Sequence, residues 1–272
     1  LDTALEAFKD LANQTMNLVF YDECIDHLLR IHRIIRIQNG NALLVGVGGS
    51  GKQSLAKLAT FIARYELWGI KITSKFEEKH FREQLLELFR KFIDQKPMKP
   101  ITFLFTDEQI LDEGFLELIN NILTTGMVPA LFEKPEKMQI IDAYKPLAIQ
   151  LGLPESKDVA YGLYVNRVRE NLHMVISMSP SGDNLRNRCR NFPGLISSTT
   201  IDWFFEWPKE ALLQVSQFLF SNYKQVEQTL VPLLCEHIID VHLSLSQFSS
   251  EALKSQKRNI YTTPKNFLDY IK

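Results

Sequence analysis

The chain has 272 residues, 45% of them hydrophobic and 23% charged, and its formal net charge at pH 7 is −1. This composition is typical of a globular chain with one large or two modest domains, and the charge excludes a strong electrostatic attraction to nucleic acid or an anionic membrane. The three cysteines, Cys24, Cys189 and Cys235, form no Cys-x-x-Cys pair, which predicts reduced thiols in a reducing compartment and no zinc site. No apolar run is long enough to span a membrane, and the chain starts at Leu1 without an initiator methionine, so we expect a piece of a longer protein.

Apolar periodicity predicts helices that alternate with short buried strands over the first three quarters of the chain. The predicted strands lie at residues 41–45, 70–73, 101–105, 174–178 and 198–201. The predicted helices lie at residues 22–37, 53–65, 79–92, 115–123, 137–144 and 165–171 and in a basic segment ending at Arg190, while residues 16–20 are expected to be extended. Continuous apolar strands of this kind are typical of a parallel sheet that is covered on both faces.

Beyond Asp202 the pattern predicts helices alone, at 208–220, at 226–248 and from Pro264 onward. The predicted fold class is therefore α/β, with a parallel sheet flanked by helices over residues 1–205 and a small all-helical lid domain over residues 206–272.

A glycine-rich segment, Gly46-Val47-Gly48-Gly49-Ser50-Gly51-Lys52, connects the first predicted strand to the helix that follows it. Glycines let the backbone N–H groups close around phosphates, the helix adds its positive end, and Lys52 adds a charge. We predict that Gly46, Gly48, Gly49, Ser50, Gly51, Lys52, Gln53 and Ser54 bind a nucleotide; a chance glycine-rich turn is the alternative. The residue after Lys52 is Gln53 rather than the usual Ser or Thr that ligates Mg²⁺, which favours phosphate binding over fast Mg²⁺-dependent hydrolysis.

Two acids, Asp107 and Glu108, end the apolar strand 101–105 about 55 residues after Lys52. We predict that Asp107, together with Gln53, holds Mg²⁺ and that Glu108 orients and deprotonates an attacking water, because ligand sites in parallel sheets lie at the carboxyl ends of strands. Two acids that only cap the next helix are the alternative.

The next buried strand ends at Ser179, and a helix with three arginines follows it. The Ser179 hydroxyl is suited either to contact the γ-phosphate or the attacking water or to cap the helix, and the sequence favours neither. Arg186, Arg188 and Arg190 form either a solvated helix face or an arginine finger that acts on a neighbouring subunit's nucleotide; the absence of interspersed acids favours the finger.

The phosphate loop, including Gln53, resembles that of the fourth AAA+ module of dynein heavy chains. The same resemblance is carried by Met178-Ser179-Pro180 with Gly182-Asp183, by residues 185–193, by Thr199-Thr200-Ile201-Asp202-Trp203-Phe204 with Trp207-Pro208, and by Thr262-Thr263-Pro264 with residues 267–271. It covers nearly the whole chain. It implies an AAA+ P-loop NTPase fold and ATP or ADP with Mg²⁺ as cofactors.

The resemblance also implies roles for individual residues. By it, Lys52 is the Walker A lysine, Asp107 and Glu108 are the Walker B pair, Ser179 is the sensor I position and Lys265 is the sensor II position. It further implies that Leu18, Val19 and Phe20 line the adenine, and that Arg190 with Arg188 forms the finger that acts in trans.

Dynein heavy chains are microtubule minus-end motors with six AAA+ modules in one ring, and the stalk that binds the microtubule emerges from the fourth module. The resemblance therefore implies contacts with neighbouring modules of the same chain, an indirect link to the microtubule, and intermediate and light chains as partners of the full-length protein. Nucleic acid and membrane are not expected as partners. The expected location is the cytoplasm and cytoskeleton, with the Trp207-Pro208 step favouring the axoneme of a cilium or flagellum.

Two hypotheses about the activity stay open at this point. In the first, the module binds ATP or ADP, hydrolyses ATP slowly and regulates the motor, which Glu108 favours. In the second, it is a non-hydrolysing structural module with permanently bound ADP, which Gln53 and Ser179 favour, since AAA+ ATPases usually carry Asn at the position of Ser179. A P-loop GTPase or small-molecule kinase is disfavoured because the chain lacks an Asn-Lys-x-Asp motif.

Overall fold

A five-stranded parallel sheet forms the centre of the larger part of the molecule. The computed structural model describes residues 1–12, 18–73, 75–94, 99–221, 223, 227–257 and 262–271. The strands are β1 (Ala42–Gly46), β2 (Glu66–Trp68), β3 (Ile101–Thr106), β4 (Leu172–Met178) and β5 (Thr200–Phe204). Their spatial order is β2-β3-β4-β1-β5, so β1 lies between β4 and β5.

Helices cover the two faces of this sheet, and the regular elements that the structure describes after β5 are all helices. In chain order, the helices are α1 (Asp2–Ala12), α2 (Asp22–Arg36), α3 (Lys52–Ile62), α4 (Glu78–Arg90), α5 (Gly114–Thr125), α6 (Lys134–Gln150), α7 (Lys157–Asn171), α8 (Asn184–Asn191), α9 (Gly194–Ser197), α10 (Lys209–Ser221), α11 (Val231–Gln256) and α12 (Pro264–Ile271). Among the described residues, none of these helices combines the length and the apolar character that crossing a membrane requires.

The three central strands are buried along their whole length, because each is apolar on both faces. One apolar core packs α4–α7 against the sheet, and a second packs α1–α3 against its other face. A third core, which includes Leu212, Cys235, Ile239 and Phe267, joins α10, α11 and α12. The confirmed α/β architecture thus has a helical part with a core of its own, although the predicted boundary between residues 205 and 206 stays a prediction.

The strand register brings the carboxyl ends of β1, β3 and β4 to the same edge of the sheet. Val45 at the end of β1 pairs with Met178 of β4, and Thr106 at the end of β3 pairs with Ser177 of β4. The residues that follow β1, β3 and β4 therefore leave the sheet side by side.

Several predicted elements differ from the structure. The predicted strand at 70–73 is wrong: β2 lies at Glu66–Trp68, where it pairs with residues 101–103 of β3, and residues 69–73 are neither helix nor strand. Helix α1 was not predicted, and α6 and α7 are longer than predicted. Residues 16, 17 and 226 of two predicted segments lie outside the described residues.

Candidate nucleotide-binding site

The phosphate loop lies between β1 and α3, as its sequence predicts. Gly49 and Gly51 have φ angles of 80° and 90°, a conformation that only glycine adopts without strain. Gly51 is the residue before the first turn of α3, so the free N–H groups of that turn face the loop. The loop thus combines backbone donors with the positive end of a helix, which is an arrangement that binds anions.

The Lys52 ammonium is buried against the loop, with only 8% of the residue exposed. Its Nζ donates to the carbonyl oxygen of Gly46 at 2.6 Å, to that of Val47 at 2.8 Å and to Oγ of Ser50 at 3.1 Å. Burial lowers the pKa of Lys52 to about 8, and the nearby negative charge of Asp107 opposes this shift. The lysine therefore ties the two ends of the loop together, and its charge is more sensitive to mildly alkaline pH than that of an exposed lysine.

Asp107 and Glu108 lie in a single 3₁₀ turn directly after β3. The turn is capped because the backbone N–H of Thr106 donates to Oε1 of Gln109 at 2.9 Å, and Nε2 of Gln109 donates to the carbonyl of Ile70 at 3.2 Å. Gln109 thereby orients both acids. Sequence reasoning missed this role, although a polar residue three positions after Thr106 is a capping signal.

A cavity of about 390 Å³ brings the loop and the two acids together. Its lining is formed by Gly46, Gly48, Gly49, Ser50, Gly51, Lys52, Gln53, Ser54, Asp107, Glu108, Ser177, Met178, Ser179 and Leu268. Every residue predicted for the phosphate and metal sites thus borders one space. A cavity of about 440 Å³ lies at the opposite ends of the strands, around Asn41 and Thr200, and its lining holds no acidic residue.

The Asp107 carboxylate is bound by two groups of its own chain. Its Oδ2 accepts a hydrogen bond from the backbone N–H of Ser179, and its Oδ1 accepts one from Nη1 of Arg188 at 2.7 Å. Nε of Arg188 also donates to Oε1 of Glu113 at 3.1 Å. One guanidinium therefore bridges two acids beside the cavity.

The arginines of α8 differ in their contacts. Arg188, whose side chain is 15% exposed, is engaged within its own chain by Asp107 and Glu113. Arg190 is exposed, and among the described residues it has no ion-pair partner. The finger expected from Arg190 with Arg188 stays a prediction.

The Ser179 hydroxyl takes part in a local turn while the residue borders the cavity. Its Oγ donates to Oγ of Ser181 at 3.0 Å and lies 3.3 Å from the backbone nitrogen of Ser181, which donates to it. The main contact of Ser179 with the acids is through its backbone N–H rather than through its hydroxyl.

A further, mainly apolar cavity of about 350 Å³ adjoins the phosphate loop, and a lining of apolar side chains with a few polar groups is typical of pockets that bind small molecules. Of the three residues that the resemblance places against the adenine, Leu18 and Val19 border this cavity, whereas Phe20 packs with the core around α2 and α3. Residues of the helical part complete the wall, and sequence reasoning missed them. They include Trp207, Val215, Leu219, Tyr223, Leu268 and Ile271, together with Tyr21 and Cys24 from the sheet-bearing part.

Among these missed residues, Trp207 gave the clearest sequence signal. It follows Trp203, Phe204 and Phe205 closely in the chain, at the predicted domain junction. In the structure its ring makes an edge contact with Tyr21, with centroids 5.8 Å apart, and borders the cavity.

Lys265 lies at the start of α12, against the phosphate loop. Its side chain is exposed, and it lines neither the phosphate cavity nor the apolar cavity. Leu268, one turn later, borders both of these cavities. The predicted sensor II position is thus near the loop through its backbone.

The donor set fits Mg²⁺ in combination with phosphate oxygens. Asp107 and Gln53 offer carboxylate and amide oxygens, which are hard ligands that suit Mg²⁺. The described residues contain no group of three His, Cys, Asp or Glu side chains that would hold a metal by themselves. A metal here would therefore depend on the nucleotide for part of its coordination.

Comparisons with known proteins agree with this geometry. Residues 16–272 match the family model described as P-loop containing dynein motor region D4. The chain is 46% identical over 264 residues, 97% of its length, to Dynein-1-alpha heavy chain, flagellar inner arm I1 complex, of Chlamydomonas reinhardtii. It is 44% identical over 268 residues, 98% of its length, to Dynein axonemal heavy chain 10 of Homo sapiens.

The chain spans 6% of the length of each of these two relatives. Their axonemal and flagellar names agree with the cytoskeletal location expected from the sequence. The predicted resemblance is confirmed: the chain belongs to the dynein motor region D4 family of P-loop AAA domains.

Proposed function

We propose that this chain is a module that binds ATP or ADP with Mg²⁺ in the ring of an axonemal dynein heavy chain and regulates a microtubule minus-end motor, with slow ATP hydrolysis of its own. The observation that carries this proposal is the single cavity bordered by Lys52, Asp107 and Glu108, next to an apolar cavity of suitable size for a base. P-loop ATPases place the same three functions around the phosphates.

The residues of the site divide the work as follows. The backbone N–H groups of the loop and the first turn of α3 bind the β- and γ-phosphates, and Lys52 turns from the loop carbonyls to the phosphate oxygens. Leu18, Val19 and Trp207 enclose the base. Mg²⁺, held by Asp107 with Gln53 alongside, would neutralise charge that develops on the phosphates.

Glu108 carries the hydrolytic step in this proposal. It is exposed at the edge of the cavity, where its carboxylate is available to orient a water and accept its proton. The arginine that stabilises the transition state comes from the next module of the ring, and Arg190 of this chain serves the preceding module. Such an arginine contributes about 10³- to 10⁵-fold in rate in related NTPases, so slow turnover of the isolated chain is expected.

The second candidate function is that of a structural module which holds ADP permanently. It is favoured by the ion pair of Arg188 with Asp107 and by the Ser179 hydroxyl, which is bonded to Ser181 rather than directed by a second group toward the phosphates. Both candidate functions need the same nucleotide site, and they differ in whether Glu108 takes part in ATP hydrolysis.

Several properties of the whole heavy chain belong to the same proposal. The module contacts neighbouring AAA+ modules, reaches the microtubule through the stalk, and works with intermediate and light chains in the assembled motor. We place the boundary between the large and lid domains at residues 205 and 206, within the segment that connects β5 to α10.

The experiment is a comparison of two substitutions in this module of a complete heavy chain. Glu108→Gln blocks hydrolysis while keeping the nucleotide, and Lys52→Ala weakens binding itself. If the module hydrolyses ATP, both variants change the velocity at which the motor moves microtubules. If it holds ADP permanently, Lys52→Ala changes the velocity and Glu108→Gln leaves it equal to that of the unmodified motor. Unchanged velocity in both variants would contradict the proposed regulation.

A further inference from the structure

The Arg188 guanidinium is bound to the carboxylate to which the proposed function assigns the metal. Nη1 of Arg188 lies 2.7 Å from Oδ1 of Asp107, and the other oxygen of that carboxylate accepts the backbone N–H of Ser179. Both Asp107 oxygens thus have partners within the chain. These partners are separated from Asp107 by 81 and 72 residues, so the arrangement is a product of the fold.

The ion pair of Arg188 with Asp107 is partly shielded from water, which strengthens it. The exposed fractions of the side chains are 15% for Arg188 and 30% for Asp107. Charge-assisted hydrogen bonds in such surroundings are stronger than neutral ones and are screened less by salt than exposed pairs. A second cation can bind Asp107 fully only if this hydrogen bond breaks. The positive charge of the guanidinium also repels that cation.

Glu113 is a second acidic partner of Arg188. Nε of Arg188 donates to Oε1 of Glu113 at 3.1 Å, and the Glu113 side chain is 58% exposed. An arginine that leaves Asp107 would therefore remain anchored beside the site by Glu113. The guanidinium has two acidic partners at the edge of the metal site, one of which it can keep while releasing the other.

We propose that Arg188 is a positioning residue that competes with Mg²⁺ for Asp107, so that this module binds ADP with little dependence on Mg²⁺. The inference rests on the proposed nucleotide site and adds a property of its metal dependence.

The test is the ratio of two dissociation constants for ADP, measured by calorimetry with Mg²⁺ and with EDTA. For the unmodified chain we expect the two constants to differ by about threefold or less. In Arg188→Gln, which frees Asp107, we expect Mg²⁺ to strengthen ADP binding by about tenfold or more relative to EDTA. Arg188→Lys keeps the positive charge and is expected to restore a small ratio.

Arg186→Gln is the matched control on the same helix. Arg186 is exposed and lies 3.9 Å from Asp183, away from the cavity lining, so its loss should leave the ratio as in the unmodified chain. If Arg188→Gln does not fold by circular dichroism, Arg188→Met, which keeps the aliphatic part of the side chain, provides the uncharged variant.

The outcomes separate this inference from the function on which it rests. ADP binding with the same ratio in the unmodified chain and in the uncharged Arg188 variant overturns the inference and leaves the nucleotide site standing. A large ratio in the unmodified chain also overturns it. Absence of ADP binding in every variant, with Mg²⁺ or EDTA, overturns the proposed function and the inference together.

Discussion

The backbone of Lys265 lies directly against Gly49 of the phosphate loop. A Cβ built on Gly49 would be 2.5 Å from the backbone nitrogen of Lys265 and 2.7 Å from its Cβ, distances that real Cβ atoms essentially never show. Because Lys265 lies in the first turn of α12 and Leu268 borders the phosphate cavity and the apolar cavity, the loop and the helical part share one contact surface. Any movement of the loop would therefore act on α12 directly, without an intermediate residue.

Substituting Gly49 by alanine should disturb this contact. We expect Gly49→Ala to lower the free energy of unfolding by about 2–3 kcal/mol, through the strain of its positive φ and the collision with Lys265, or to displace α12 from the loop. Denaturant unfolding measures the first effect. Emission of Trp207, which lines the same cavity as Leu268, reports the second.

Two neighbouring glycines provide matched controls for Gly49→Ala. Gly51 also has a positive φ, but a Cβ on it would meet nothing within 4 Å, so Gly51→Ala isolates a backbone cost of about 1–2 kcal/mol. Gly48 has neither feature, and Gly48→Ala should cost least. Equal losses for Gly49→Ala and Gly51→Ala would refute a role for the contact with Lys265.

A buried acid ties α2 to the sheet edge. The Asp202 side chain of β5 is fully buried; its Oδ2 is 2.9 Å from Nδ1 of His27, and its Oδ1 accepts from Arg30. We expect Asp202→Asn to lower the free energy of unfolding by about 2–3 kcal/mol, because it removes the negative charge that pairs with Arg30 and weakens the hydrogen bond with His27. Asp183→Asn, which alters an exposed carboxylate 3.9 Å from Arg186, is the control and should change stability by less than about 0.5 kcal/mol.

The phosphate loop could be predicted from sequence because all of its signals are local. Strand, glycines, lysine and helix follow one another without interruption between residues 41 and 65, and the structure has the same order. The predicted position of strand β2 was wrong for the opposite reason, because its signal is not local. It is three residues long and largely exposed, and its position is set by pairing with β3 rather than by its own pattern.

The full lining of the apolar cavity and the bridge that Arg188 forms between Asp107 and Glu113 could not be predicted from the sequence. Leu18, Trp207 and Leu268 meet only because the helical part folds back over the loop. Similarly, the charge pattern of α8 shows three arginines but not that Arg188 turns inward to Asp107 while Arg190 stays exposed. Contacts between distant segments depend on side-chain direction, which periodicity alone does not give.

Nucleotide affinity should decrease as pH rises above 8. Burial lowers the pKa of Lys52 to about 8, so the fraction of chains that carry a charged Lys52 decreases as pH rises. Since phosphate binding needs the charged form, the apparent dissociation constant for ADP should increase about eightfold between pH 7.5 and 9. Calorimetry at the two pH values, in buffers of different ionisation enthalpy, measures both the affinity and the proton taken up.

Lys52→Arg provides the control for this pH dependence, because a guanidinium stays charged over the whole range. Its affinity for ADP is expected to be lower than that of the unmodified chain but nearly equal at the two pH values. The same decrease with pH in both proteins would assign the effect to a group other than Lys52.

The most direct measurement of the central claim is calorimetric titration of the nucleotide-stripped chain with ADP and ATP, beside Lys52→Ala. We expect the unmodified chain to bind both nucleotides, and we expect removal of the Lys52 ammonium to reduce the affinity by about 30-fold or more while the circular dichroism spectrum stays unchanged. Lys57→Ala, on the same helix but outside the lining of the phosphate cavity, should bind as the unmodified chain does. Absence of binding by the folded, stripped chain, or equal affinity in Lys52→Ala, would contradict the claim that this loop is a nucleotide site.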